Sequence, residues 1–424
     1  MKTALLALLL FVLFTIPSKA QSEKRWIKHQ ISTLSGPTMH GRGYVNKGVD
    51  RAAKYLRRKY KEFGVLPFTS DSSYFQSFSF PVNTFPTTVY LKLQKKPLFP
   101  GEEYIVHAAS SSFYTDKMKV RKIDLKKIKD TAAWNEIKKE FRYDRAYLLK
   151  NIDTLTKYLK YSVRSFAKEL PMGLFIVPQH GKLTWTVATD TIAATVFYVE
   201  DTVMPRRIRK VAAQLHNRFI PSFASNNVLG FVPGTEQPDS FIVFTAHFDH
   251  LGKMGAATTF PGAHDNASGT ALMLYLAKHF AQNPQKYSIA FMAFSGEEAG
   301  LIGSKYYTEH PVFPLNNIRF VVNLDMTGDA TNGITVVNAL EQKKAFALLQ
   351  ELNERGGFVP KINERDQSAN SDHFHFSLKG IPAIFIYGNG TKPYYHDVFD
   401  KARELSLANI DGLVKLLIQF AEKI

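Results

Sequence analysis

Cysteine is absent from this 424-residue chain, which excludes disulfides and a lipid-attachment cysteine. Neither G-x-S-x-G nor H-E-x-x-H occurs, so the common serine-hydrolase and single-zinc protease signatures are missing. Internal repeats and low-complexity tracts are not evident. Beyond residue 20 no apolar stretch approaches the ~20 residues that span a bilayer. Without covalent crosslinks, stability must come from a packed core, and a chain of this length can bury a large one.

The first 20 residues read as a leader rather than as fold. Lys2 gives a short positive region, Thr3 to Ile16 an apolar region too short for a membrane span, and Ser18-Lys-Ala20 a small-x-small cleavage site. The expectation is export to the periplasm or medium, with no stable membrane anchor after cleavage.

Acidic residues are few: the net charge is +17, and 16 Lys/Arg stand against 7 Asp/Glu between Lys117 and Glu169. No nucleic-acid module accompanies that charge, so it reads as solvated helix faces and nucleic acid is not an expected partner.

Four units follow: the leader (1–20), an N-terminal part of the main domain (21–83), an inserted accessory domain (84–224) and the domain that carries the chemistry (225–424). Ala53, Leu56, Tyr60 and Phe63 line one face of a helix from Val49 to Phe63, with Gly64 as its stop. The insert interleaves Lys/Arg-rich helical segments with short strands and shows no catalytic constellation, which suits a lid that shapes access. From Ser225 strands and helices alternate regularly. The pattern predicts an α/β fold, a doubly wound, mostly parallel mixed sheet with helices on both faces and a smaller inserted α/β domain.

What the chain does carry is concentrated between Phe241 and Asp325. Three apolar strand-like runs end at His247, at the Glu297-Glu298 pair and at Asp325. In open α/β sheets ligands gather beyond the carboxyl ends of the strands, so distant segments would deliver His, Glu and Asp to one rim. A hydrolytic zinc site needs neutral His and ionised carboxylates. Asp265, in the small-residue loop Asp265-Asn-Ala-Ser-Gly269, suits a carboxylate that bridges two metals. Asp249, two residues beyond His247, shares its face and is placed to accept the other ring N–H. Of Glu297 and Glu298, one can bind metal while the other moves protons.

These residues carry a resemblance. His247-x-Asp249, Gly262-Ala-x-Asp265-Asn-Ala-Ser-Gly269, Ser295-Gly-Glu297-Glu298, Asn323-Leu-Asp325, Ser371-Asp-His373 and Tyr394-Tyr-His396-Asp resemble the motifs of the co-catalytic zinc aminopeptidases. The likeness is specific over Ser225 to Ile424, moderate over Gly41 to Phe80, and over the insert at most that of a degenerate protease-associated domain. It implies two zinc ions per chain. Asp265 would bridge them, His247 and Asp325 would complete one site, Glu298 and His396 the other, and Glu297 would be the general base. It also implies a cis Asp265–Asn266 peptide and peptide substrates. His250 and His264 fall outside the ligand set, and His373 reads as structural support. The rivals are a glutaminyl-peptide cyclotransferase with one catalytic zinc and a non-enzymatic module like the transferrin-receptor ectodomain. A carboxypeptidase variant would need a cation from Lys253, Arg365 or Lys392.

Overall fold

The structure is a computed structural model and describes residues 19–68, 73–160 and 162–424. The predicted leader lies outside the described residues except for Lys19 and Ala20, which open the first helix. No helix among the described residues is long and apolar enough to cross a membrane.

Helix α1 (Lys19–Leu34) and helix α2 (Gly48–Phe63) precede the main sheet. Helix α2 stops where expected: Gly64 turns left-handed at φ 80° and its N–H closes on Tyr60 and Lys61 carbonyls. The main sheet is built from β1 (Phe75–Thr84), β2 (Arg218–Val232), β3 (Gln237–His247), β4 (Tyr287–Phe294), β5 (Ile318–Leu324), β6 (Ile334–Val337), β7 (Ile362–Arg365) and β8 (Ala383–Gly388). Its spatial order is β1-β2-β4-β3-β5-β8-β6-β7. The central pairs β4–β3, β3–β5 and β5–β8 are parallel, whereas β1–β2, β2–β4 and β6–β8 are antiparallel. The parallel centre explains the continuous apolar runs: Phe241 through Ala246 are all buried, as they must be between helical layers. Helices α3 (Gly269–Gln282), α4 (Ile302–Glu309), α5 (Lys343–Gly356), α6 (His373–Leu378) and α7 (Ile410–Lys423) complete this unit. Leu413, Val414, Leu417 and Phe420 of α7 join the same core as Leu272, Leu276 and Phe280 of α3.

A second eight-stranded sheet is drawn from residues 89–215, with its own core around Trp134, Tyr147, Phe175 and Phe197. The chain leaves the main sheet at the end of β1 and returns at the start of β2, where Thr84 pairs with Arg218. One local expectation changes in part. The basic stretch after Lys117 is helical at Thr131–Lys139 and Ile152–Leu159, but its first residues belong to a twelve-residue strand, Phe113–Asp124. Lys117, Lys119 and Arg121 are exposed there while Met118 and Val120 between them are half-buried, a period of two that the density of charge hides, and the buried Ile123 falls out of that phase. After Glu298 the chain becomes helical only at Ile302, because Gly300 and Leu301 take positive φ and first turn it.

Candidate metal centre

Strands β3, β4, β5 and β8 run parallel, so their carboxyl ends share one rim, and each releases a side chain or loop there. His247 ends β3, Glu297 and Glu298 follow β4 after a turn at Gly296, Asp325 follows β5, and the loop after β8 returns His396. Asp265 enters from the loop before α3. Its peptide bond to Asn266 is cis, as the resemblance implied.

The side chains meet. His247 Nε2 lies 3.3 Å from Asp265 Oδ1 and 3.4 Å from Asp325 Oδ1. His396 Nε2 lies 3.0 Å from Asp265 Oδ2 and 3.0 Å from Glu298 Oε2. Asp265 therefore turns one oxygen to each histidine. Ligand atoms of His247, Asp265 and Glu298 all lie within 4.8 Å of one another, as do those of His247, Glu297 and Asp325. Four carboxylates and two imidazoles converge on a small space that borders a cavity of about 380 Å³.

The chemistry of this donor set fits a metal. Asp325 Oδ1 is buried with no hydrogen-bond donor of its own, and the carboxylates outnumber the imidazoles that face them. Buried charges are tolerated when paired or coordinated. The buried guanidinium of Arg42 is spent on backbone carbonyls. Five oxygen and nitrogen ligands with one carboxylate between them suit a pair of zinc-like cations.

The two glutamates behave oppositely. Burial pushes Glu297 well above the usual carboxylate range, and Glu298 and Asp325 add to it against the pull of His247. Burial would raise Glu298 too, but His396 and His250 beside it hold it down at about 2. His250 Nδ1 sits 2.6 Å from Glu298 Oε1, so this histidine braces Glu298 rather than facing the cavity. His264 lines the cavity. His373 is buried beside Phe385, and burial lowers it to about 4, in keeping with a supporting role.

Asp249 differs from expectation. Its carboxylate is 3.8 Å from His247 Nδ1, and the ring nitrogen instead meets the Asp249 carbonyl at 3.2 Å. The carboxylate accepts from Tyr44 Oη at 2.6 Å and from the backbone N–H groups of Glu297 and Glu298 at 3.2 and 3.4 Å. The reason is the turn after β4, which aims two peptide N–H groups at the space beside His247. Asp249 thus anchors the loop that presents both glutamates.

Sequence reasoning missed several supports. Arg42, at the end of a 3-10 helix (Pro37–Arg42), is fully buried, and its five N–H groups reach five carbonyls: Leu34, Phe248, Pro261, Gly262 and Asp265. Asp400 accepts from the peptide N–H groups of His264 and Asp265 at 2.7 and 3.0 Å. A relay from Thr245 to Asn323 to Ser371 ends with Ser371 Oγ donating to Asp325 Oδ2 at 2.9 Å. Gly262 is required: φ is +59°, and a Cβ there would strike the His250 ring and the Asp265 carbonyl. Of the three cations considered for a substrate carboxylate, Arg365 and Lys392 line the cavity with the ligands, while Lys253 lines others.

Comparison with known proteins places this geometry. The model of peptidase family M28 matches residues 227–421. Aminopeptidase YwaD of Bacillus subtilis is 31% identical over 193 residues, covering 43% of this chain and 41% of its own length. A probable leucine aminopeptidase of Arthroderma otae is 25% identical over 220 residues, 48% of this chain and 58% of its own. The matched stretch thus spans about half the length of these relatives. Among solved structures, BSAP, a zinc aminopeptidase from Bacillus subtilis, superposes with a TM-score of 0.66 at 18% identity over 94% of both chains. A peptidase M28 precursor from Shewanella amazonensis gives 0.67 at 16% identity, over 95% of this chain and 93% of its own. At such identities the likeness is one of fold, and it includes the accessory sheet.

Proposed function

We propose that the protein is a zinc exopeptidase that releases N-terminal residues from peptides, and that its leader exports it. The observation that carries the reading is Asp265, whose two oxygens face His247 and His396 separately. His247 and Asp325 would hold one zinc and Glu298 and His396 the other, with Asp265 available to both. The metal pair supplies a water activated near neutral pH and a Lewis acid for the scissile carbonyl. Glu297, raised by burial, would act as the general base, taking a proton from the attacking water and returning it to the leaving amine. Asp249 fixes the Glu297 backbone while this happens. The supporting M28 match, the fold likeness and the complete donor set all favour hydrolysis over a binding scaffold.

The test is a metal count joined to a substrate panel. Purified protein is expected to hold close to two zinc ions per chain, to hydrolyse aminoacyl substrates, and to lose that activity to a chelator. His247→Ala is expected to empty mainly the site shared with Asp325, and His396→Ala mainly the site shared with Glu298. A single zinc together with cyclisation of N-terminal Gln and no peptide hydrolysis would replace this reading with the cyclotransferase one. Because Arg365 and Lys392 line the cavity, peptides blocked at the amino end but free at the carboxyl end belong in the panel, and their preferential cleavage would make the enzyme a carboxypeptidase.

A further inference from the structure

The accessory sheet reaches the metal centre by one short segment, residues 182–188, which follows the strand Gly173–Gln179. Trp185 is its hub. The Trp185 N–H donates to the His396 carbonyl at 2.9 Å, and His396 Nδ1 faces the Trp185 carbonyl at 3.0 Å. The two residues therefore exchange hydrogen bonds across 211 positions of sequence, one of them through the imidazole itself. A carbonyl can only accept, so the His396 proton on that side must sit on Nδ1, which leaves Nε2 bare toward Asp265 and Glu298.

The segment is fastened on both sides. The buried Trp185 indole stacks on Phe260 at 4.7 Å and donates Nε1–H to the Val106 carbonyl at 2.9 Å. Lys182 pairs with Asp397 Oδ2 at 2.7 Å and also donates to the Pro393 carbonyl. Ala188 accepts from the N–H of Asn83 in β1 at 2.8 Å. His396 needs such holding: its φ of +54° is a left-handed backbone that side-chain-bearing residues disfavour. Its own strand, β8, ends eight residues earlier at Gly388, so the main sheet does not fix it directly.

We propose that the accessory domain positions a metal ligand: the docked segment 182–188 sets the tautomer and aim of His396, and the site shared with Asp265 and Glu298 reaches full affinity only when it is docked. This rests on the two-zinc reading above. It changes the role of the insert from a lid that shapes access to a wall of the metal centre. Trp185 is a positioning residue, since it touches the ligand and not the reacting atoms.

The experiment compares wild type with Trp185→Ala, Trp185→Phe and Lys182→Met. Zinc affinity is measured by chelator competition, and solvent exchange of the His396 Nδ1–H by proton NMR, a readout that does not depend on metal. Removing a partner that orients a ligating histidine typically weakens metal binding by about 10–100-fold. Trp185→Ala should lose one zinc by that factor while the other keeps its affinity, and its Nδ1–H should exchange faster. Trp185→Phe, which keeps the stacking and the backbone pair, should restore most of both. Equal weakening of the two zincs, or no weakening in a folded Trp185→Ala, overturns the proposal. Should Trp185→Ala fail to fold, Lys182→Met decides, because that side chain is 35% exposed and outside the core. The same one-sided loss, smaller in size, is expected, and unchanged affinity with unchanged exchange overturns it. Wild-type protein that holds no zinc would defeat the two-zinc reading instead, and the exchange of the His396 Nδ1–H would still judge the positioning role.

Discussion

Glu297 and Glu298 are neighbours in sequence whose carboxyl groups are shifted in opposite directions, and the difference lies in what each one faces. Glu298 is pinned between His250 and His396, each close enough to hold its charge in place. Glu297 faces Asp325 and Asp372 as well as His247, so like charge and burial both favour its proton. A group that must take a proton and give it back works best when its pKa sits near the working pH. Glu297→Gln keeps the shape and removes only the proton affinity. It should retain both zincs and lose at least ~10²-fold in kcat, the usual scale for general acid–base catalysis. Near-wild-type turnover with zinc in place would remove the role from Glu297. Asp372, itself buried, is pushed up to about 7 by burial.

One segment, residues 36–43, does for the backbone what the strand ends do for the side chains. Arg42 uses every N–H of its guanidinium on carbonyls from α1, from the turn after β3 and from the loop that carries Asp265. Lysine offers three donors in place of five, so Arg42→Lys would leave at least two buried carbonyls unmet. At about 1–3 kcal/mol for each unsatisfied buried group, the folded protein should lose roughly 2–6 kcal/mol. The midpoint of denaturant unfolding measures this, and an unshifted midpoint would show that the segment repacks freely. Nothing in the sequence around Arg42 announced such a part. The strand ends were legible because apolar runs closing in His, Glu and Asp form a local pattern of side-chain types, and parallel pairing then brings them together. The long core helices were legible by their periodicity. Arg42, Asp400 and Trp185 were not, because they act on peptide groups, and a carbonyl leaves no mark on the identity of its residue. The basic strand Phe113–Asp124 was misread for a related reason: on one exposed face, lysines serve a helix and a strand equally well.

At the scale of the molecule, two sheets with separate cores share one centre. The main sheet supplies the proposed ligands from the ends of its parallel strands, and the accessory unit contributes the segment that hydrogen-bonds His396. If docking of residues 182–188 strengthens zinc binding, zinc must strengthen that docking by the same factor, since coupling between two equilibria is reciprocal. Metal removal is therefore expected to act at a distance from the metal, inside the accessory sheet. With zinc stripped by a chelator, backbone amides of 182–188 should exchange with deuterium about 10–100-fold faster, matching the affinity attributed to the docked segment. The strand Phe113–Asp124 lies three places away from the strand Ala194–Glu200 in the same sheet and touches no ligand, so its amides should exchange at an unchanged rate. Hydrogen exchange read peptide by peptide, with and without zinc, makes the comparison within one sample. A uniform rise across both sheets would mean that zinc merely stabilises the whole fold. An unchanged rate at 182–188 would mean that the accessory sheet and the metal centre are neighbours without coupling.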